Sequence, residues 1–254
     1  MLEETASTSL SAFAMLGLGL VFGLKHATEA DHIVAVSSIV SHQRSLIRSV
    51  TVGALWGTGH TASLLFVGIV VLALRVAVPE GLANWLEFGV ALMIIALGAS
   101  ALLRLRSSRR RDIHLHQHKH DGVSHVHLHF HEHETAHKGA VSTHSHAVSR
   151  LGFKPLLVGA MHGLAGSATL TLLVLTQINS TALGLVYLSV FGIGSITGMF
   201  VMSGLIGLPF ALSARRFGGL HYGLQAMAGA LSIAFGLWYA YETGIASGLW
   251  RTLL

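Results

Sequence analysis

Six apolar stretches, near residues 10–40, 50–74, 86–104, 155–176, 182–212 and 222–241, dominate the chain. Each is long enough to cross a hydrocarbon layer roughly 30 Å thick, for which about 20 helical residues suffice. The expectation is an all-α, polytopic membrane protein with six transmembrane helices. Composition agrees, because 52% of the 254 residues are hydrophobic and only 11% are charged, against about 25% charged in soluble domains. A water-soluble globule is excluded. The opening Met1-Leu2-Glu3-Glu4 is acidic where a secretory signal is basic, so the first stretch is expected to remain as a span.

Basic residues collect on one side of this layout. Arg44 and Arg48 follow the first span; Arg104, Arg106, Arg109, Arg110 and Arg111 follow the third; Arg150 and Lys154 precede the fourth; Arg215 and Arg216 follow the fifth. By the positive-inside rule, both termini lie outside the cytoplasm and the loop 105–153 lies within it, across a bacterial-type inner (plasma) membrane. Three units follow: a first three-helix membrane unit (1–104), a cytoplasmic His-rich loop expected to be disordered (105–153), and a second three-helix unit (154–254). The net charge of +5 comes from these arginine clusters and calls for no nucleic-acid partner.

The two membrane units resemble each other. Gly23-Leu24-Lys25-His26 in the first span matches Gly159-Ala160-Met161-His162 in the fourth, and Gly57-Thr58-Gly59-His60 in the second matches Gly192-Ile193-Gly194-Ser195 in the fifth. Units of three spans each must run in opposite directions, which gives a 3+3 inverted repeat with a midplane site between the halves.

The chain has no cysteine, which excludes disulfides, iron–sulfur clusters, thiolate zinc sites and cysteine nucleophiles, whereas its 18 histidines direct attention to nitrogen-ligand metal chemistry. The segment Lys25-His26-Ala27-Thr28-Glu29-Ala30-Asp31-His32 sets two imidazoles and two carboxylates between almost wholly apolar flanks. One carboxylate at a bilayer centre costs about 2.5–3.5 kcal/mol even on the lenient insertion scale. A divalent cation offsets that cost by neutralising carboxylates and accepting imidazole nitrogen; an internal cluster pairing Lys25 with Glu29 is the structural alternative. On a straight helix His26, Glu29 and His32 share a stripe while Asp31 points away. A tilt or break near Gly23 to His26 is therefore expected, turning Asp31 in as a ligand or as the partner that fixes a histidine tautomer. His60, beside Gly57 and Gly59, which permit close helix approach, is a further candidate ligand. His162 is either a ligand or an interhelical hydrogen-bonder.

These residues carry a resemblance. His26-x4-Asp31-His32 resembles the H-x4-D-H signature of the nickel/cobalt transporter family (NiCoT, within the wider NicO group), and Gly59-His60-Thr61 is similar to that family's glycine-histidine motif in the following helix. The resemblance implies that His26, Asp31 and His32 select the metal and that His60 assists. Glu29 stands where the family has aspartate, and a later acidic helix motif of the family is replaced here by His162-Gly163-Leu164-Ala165-Gly166-Ser167. The chain thus resembles a short six-span member.

Between Asp112 and Val148 lie twelve histidines, mostly in H-x-H alternation: His114, His116, His118, His120, His125, His127, His129, His131, His133, His137, His144 and His146. Such a polar tract offers many weak nitrogen donors to nickel, cobalt, zinc or copper with little geometric preference. No G-x-x-x-x-G-K-[ST] phosphate loop occurs, so direct ATP hydrolysis is excluded. Gly166-Ser167 suggests an intramembrane serine protease only weakly, because His221 sits at the start of the sixth span rather than deep in it.

Residues and resemblance together imply a secondary transporter and not an enzyme. Its cargo is a divalent cation, nickel or cobalt with zinc as a further option, held by His26, Asp31, His32, Glu29, His60 and His162, with no prosthetic group. A divalent ion moving inward through about 100 mV gains about 4.6 kcal/mol, which favours uptake over efflux. The alternative is a non-transporting membrane metal sensor or metallochaperone acting through the His-rich loop.

Overall fold

An apolar helix in lipid satisfies its own backbone, so the elements follow the apolar stretches wherever no polar cluster interrupts them. The computed structural model describes the backbone of residues 2–74, 78–111, 113–120, 123–130, 153–166 and 180–249, with side chains over 14–74, 78–107, 153–166, 180–214 and 217–249. Among the described residues, four helices have the length and apolarity to cross a membrane: α3 (Leu46–Leu74), α4 (Glu80–Arg111), α6 (Thr181–Arg216) and α7 (Gly218–Ala240). A π-helical turn, Tyr241–Ala246, extends α7. The segment 153–166 is also helical and is called α5; residues 167–176, which complete the expected fourth span, and Ser167 with them, lie outside the described residues.

The first apolar stretch is two helices, α1 (Leu2–His26) and α2 (Ala30–Val40). Its break falls at Ala27–Glu29, just beyond the expected Gly23 to His26. Neither glycine nor proline makes it. The amides of Thr28 and Glu29 donate to the carbonyls of Lys25 and His26, three residues back, and tighten the last turn of α1. The Thr28 hydroxyl donates to the same Lys25 carbonyl at 2.6 Å. Glu29 then turns extended (φ −66°, ψ 148°) and opens α2.

Helix α6 is the central support, since α1 and α3 both pack along it, while α4 packs on α7 and α2 lies against α4, α6 and α7. The contacts of α1, α3, α5 and α6 are backbone-close. A Cβ on Gly23 of α1 would collide with the Phe191 carbonyl of α6, and one on Gly194 of α6 with the Leu20 carbonyl of α1. Likewise a Cβ on Gly159 of α5 would strike the Trp56 carbonyl of α3, and one on Gly59 of α3 the Leu156 carbonyl of α5. Small residues give helices in lipid this closeness, where no hydrophobic force between helices exists. The main apolar core runs through Ala35, Val36, Val40, Val52, Trp56, Ile94 and Met199.

Helix α4 continues to Arg111, past residue 104, and β1 (Ile113–His120) and β2 (Val123–Phe130) pair antiparallel. The register sets His114, His116 and His118 opposite His129, His127 and His125. Residues 131–152, with His131, His133, His137, His144 and His146, lie outside the described residues.

Gly159→Ala forces α5 away from α3 and is expected to cost about 1–3 kcal/mol. A lowered thermal midpoint of the detergent-solubilised protein would register it. Gly17→Ala, whose Cβ meets open space, leaves the midpoint unchanged.

Candidate metal centre

The broken first span brings two helix ends together inside the bundle. The C-terminal end of α1 carries negative partial charge, and the N-terminal end of α2, positive, holds Asp31 in its first turn. The Asp31 carboxylate accepts the His32 backbone amide at 2.9 Å. It also spans two imidazoles: Oδ1 lies 3.0 Å from His32 Nδ1, and Oδ2 lies 2.7 Å from His162 Nε2 of α5. A carboxylate only accepts, so both ring nitrogens donate to it and the tautomers follow. His32 is left with a bare Nε2 and His162 with a bare Nδ1. Both atoms are buried without a hydrogen-bond partner.

A second carboxylate repeats the device. Glu29 Oε2 lies 2.9 Å from His26 Nδ1, which leaves His26 Nε2 facing His60 Nε2 at 3.1 Å. Nitrogen donors about 2.0–2.1 Å from one metal ion stand roughly 2.9–3.4 Å apart at angles between square and tetrahedral, so the spacing of these two nitrogens suits a pair of ligands on one ion. Without an ion, His60 Nε2–H donates to His26, and His60 Nδ1 is buried and unpartnered. His32 joins the two sets. One ligand atom each from His26, His32 and His60 lie within 4.8 Å of one another, as do those from Asp31, His32 and His162. His32, His60 and His162 are respectively 1%, 0% and 2% exposed, which makes unpartnered imidazoles there costly.

The close helix contacts set these rings. Gly59 precedes His60 on α3, Gly163 of α5 lies against the His60 carbonyl, and Gly23 seats the last turn of α1, with His26, on α6. Trp56, one turn before His60, stacks parallel to His32 with ring centres 6.1 Å apart.

All six residues expected from the sequence, His26, Glu29, Asp31, His32, His60 and His162, thus meet in one place. Five of them, all but His60, line a cavity of about 330 Å³. Sequence reasoning missed two further polar lining residues, Glu87 of α4 and Tyr239 of α7. Glu87 had a signal: it is the one charged residue of α4 between Glu80 and Arg104. Tyr239 had none, because an aromatic near a span's end is ordinary membrane-interface composition. His221, by contrast, is satisfied elsewhere, between Ser213 Oγ at 3.2 Å and Gln225 Nε2 at 3.0 Å.

What the fold and site define is a multi-helix membrane protein with a buried cluster of imidazoles held by carboxylates. Comparison with known proteins gives the family. The chain is 36% identical to the urease accessory protein UreH of Bacillus sp. (strain TB-90) over 253 residues, 94% of this chain and 95% of that protein, and it belongs to the UreH family. It is 30% identical over 108 residues to the high-affinity nickel transport protein of Cupriavidus necator, covering 38% of this chain and 29% of that one. It is also 25% identical over 183 residues to the chloroplast protein FOR GROWTH AND FERTILITY 2 of Arabidopsis thaliana, 71% of this chain and 44% of that protein. No family model and no solved structure matches.

Asp31→Asn turns an amide N–H toward one of two imidazole N–H groups and unsettles both tautomers. It is expected to weaken nickel binding by about 10–100-fold, the usual effect of losing a carboxylate behind a histidine ligand. Equilibrium dialysis of the purified protein measures it.

Proposed function

We propose that this chain is a secondary transporter that carries nickel, or cobalt, into the cell across the plasma membrane. One observation carries the reading: His26 and His60, and Asp31 and His162, each form a close donor set with His32, every ring is oriented by a carboxylate or a neighbouring imidazole, and His32, His60 and His162 each keep one buried nitrogen without a partner. Nitrogen and oxygen donors of this kind suit a first-row divalent cation, and the absence of cysteine disfavours Cu(I). The names of two relatives, a urease accessory protein and a nickel transport protein, support nickel as cargo and urease as its user.

The ligands in this reading are His26, His32, His60 and His162, with Asp31 and Glu29 as carboxylates that fix their tautomers and neutralise the ion. Six spans in a 3+3 inverted repeat complete it. The reciprocal glycine contacts favour the repeat, since the first-half positions Leu20, Gly23 and Leu24 match Leu156, Gly159 and Ala160, each 136 residues on, while Trp56 and Gly59 match Phe191 and Gly194, each 135 on. Gly23 meets Phe191 as Gly159 meets Trp56, and Gly194 meets Leu20 as Gly59 meets Leu156. Exchange of the halves reproduces the contacts. The exchanged position of His60 is Ser195, whose hydroxyl is buried without a partner.

The cavity supports uptake. Glu87 near the start of α4 and Tyr239 near the end of α7 both line it, so it reaches toward the ends of α4 and α7 opposite the arginine-rich loop. By the positive-inside rule that side is external. The inward potential then needs no other fuel.

Radioactive nickel flux into proteoliposomes under an imposed inside-negative potential tests the proposal. Wild type is expected to accumulate nickel, and His32→Ala to reduce flux at least about a hundredfold, because it removes the imidazole common to both donor sets. Flux in the variant equal to wild type defeats the site. Deleting residues 114–146 is expected to leave flux in place; loss of cellular function with wild-type flux retained would favour a sensor or metallochaperone acting through the loop.

A further inference from the structure

The donors that surround His32 explain how a dehydrated ion is held, not how a hydrated one is received. Glu87 is a partly buried carboxylate in an apolar helix, seven residues from the start of α4, or about 10 Å along its axis. Among the described residues it makes no hydrogen bond and no ion pair, although Lys25 lines the same cavity. An ionisable group inside a span carries a default expectation of function, since its burial is otherwise unrewarded.

We propose that Glu87 is the carboxylate that receives the hydrated divalent cation in the cavity, before the ion exchanges its water for the imidazoles. The inference rests on the transport reading above. Two independent observations point to a cation there. First, three carboxylates (Glu29, Asp31 and Glu87) and one ammonium (Lys25) line the cavity, a formal charge of minus two with the histidines neutral, which matches a divalent ion. Second, the unpartnered Nε2 belongs to His32, a ring 1% exposed that lines the same space.

Division of labour follows from the partners. Asp31 and Glu29 already accept imidazole N–H groups, at 2.7–3.0 Å. Only Glu87 has both oxygens free to accept hydrogen bonds from the ion's water. The cavity, about 330 Å³, has room for a water shell, one water needing about 10–15 Å³ on the same measure. A carboxylate on a low-dielectric wall focuses the field and raises the local cation concentration, which speeds capture without strengthening the final site.

The test compares Glu87→Gln with wild type, each first matched by size-exclusion profile and thermal midpoint. In the flux assay the variant is expected to raise KM for nickel about tenfold with kcat unchanged, and added salt is expected to narrow that gap. Nickel affinity in detergent, by equilibrium dialysis, stays within about threefold because the imidazole donors are intact. Glu87→Asp, which keeps the charge, restores most of the loss. Should the glutamine variant fail to assemble, Glu87→Ser takes its place with the same expectations. A KM equal to wild type overturns the proposal, and so does a loss of equilibrium affinity equal to the loss in KM, which would make Glu87 a ligand. Absence of nickel binding and flux in wild type would instead defeat the transport reading.

Discussion

Ionisable side chains in the middle of a bilayer are stable only when something there compensates their charge and their unmade hydrogen bonds. In this chain the requirement falls on His26, Glu29, Asp31 and His32, within seven residues of an apolar stretch. The carboxylates meet part of it by accepting imidazole N–H groups, and the field at the start of α2 favours Asp31 further. What the cluster does not satisfy is its bare ring nitrogens, and these are lone pairs. Buried lone pairs without a donor are what a cation can satisfy, so the cost of burial and the proposed cation binding have one origin.

The glycine contacts follow from the same demand. For His60 and His162 to reach a ring on α2, α3 and α5 must approach closer than side chains of ordinary size permit. Gly59, Gly159 and Gly163 allow it, as Gly23 and Gly194 allow α1 to settle on α6. Glycine abundance in these helices is thus tied to the position of the imidazoles rather than to flexibility. It is also where the two halves of the chain are most alike, down to the carbonyls that each glycine approaches.

Family membership and site geometry support each other without overlapping. The UreH relative spans nearly the whole chain, whereas likeness to the nickel transport protein covers 38% of it. The site adds what identity percentages do not: which nitrogen of each histidine is bare, and which carboxylate or imidazole holds its other nitrogen.

Much of the molecule is legible in the residues. Apolar length marks α3, α4, α6 and α7, and charge among apolar flanks marks Lys25–His32, because both are properties of local sequence. His60 and His162 are legible through the paired glycine-histidine patterns. The break at Ala27–Glu29 is less so: no proline or glycine marks it, and it depends on a turn tightened onto the Lys25 and His26 carbonyls. The pairing in β1 and β2 is hidden too, since a histidine-rich tract reads as polar low complexity whatever its backbone does. Glu87, marked in the sequence only as a lone charge in its helix, and Tyr239 were brought to the site by tertiary structure. Their helices join the cavity only after α4 packs on α7 and α2 lies against both, and no spacing along the chain reports which distant side chains will share one volume.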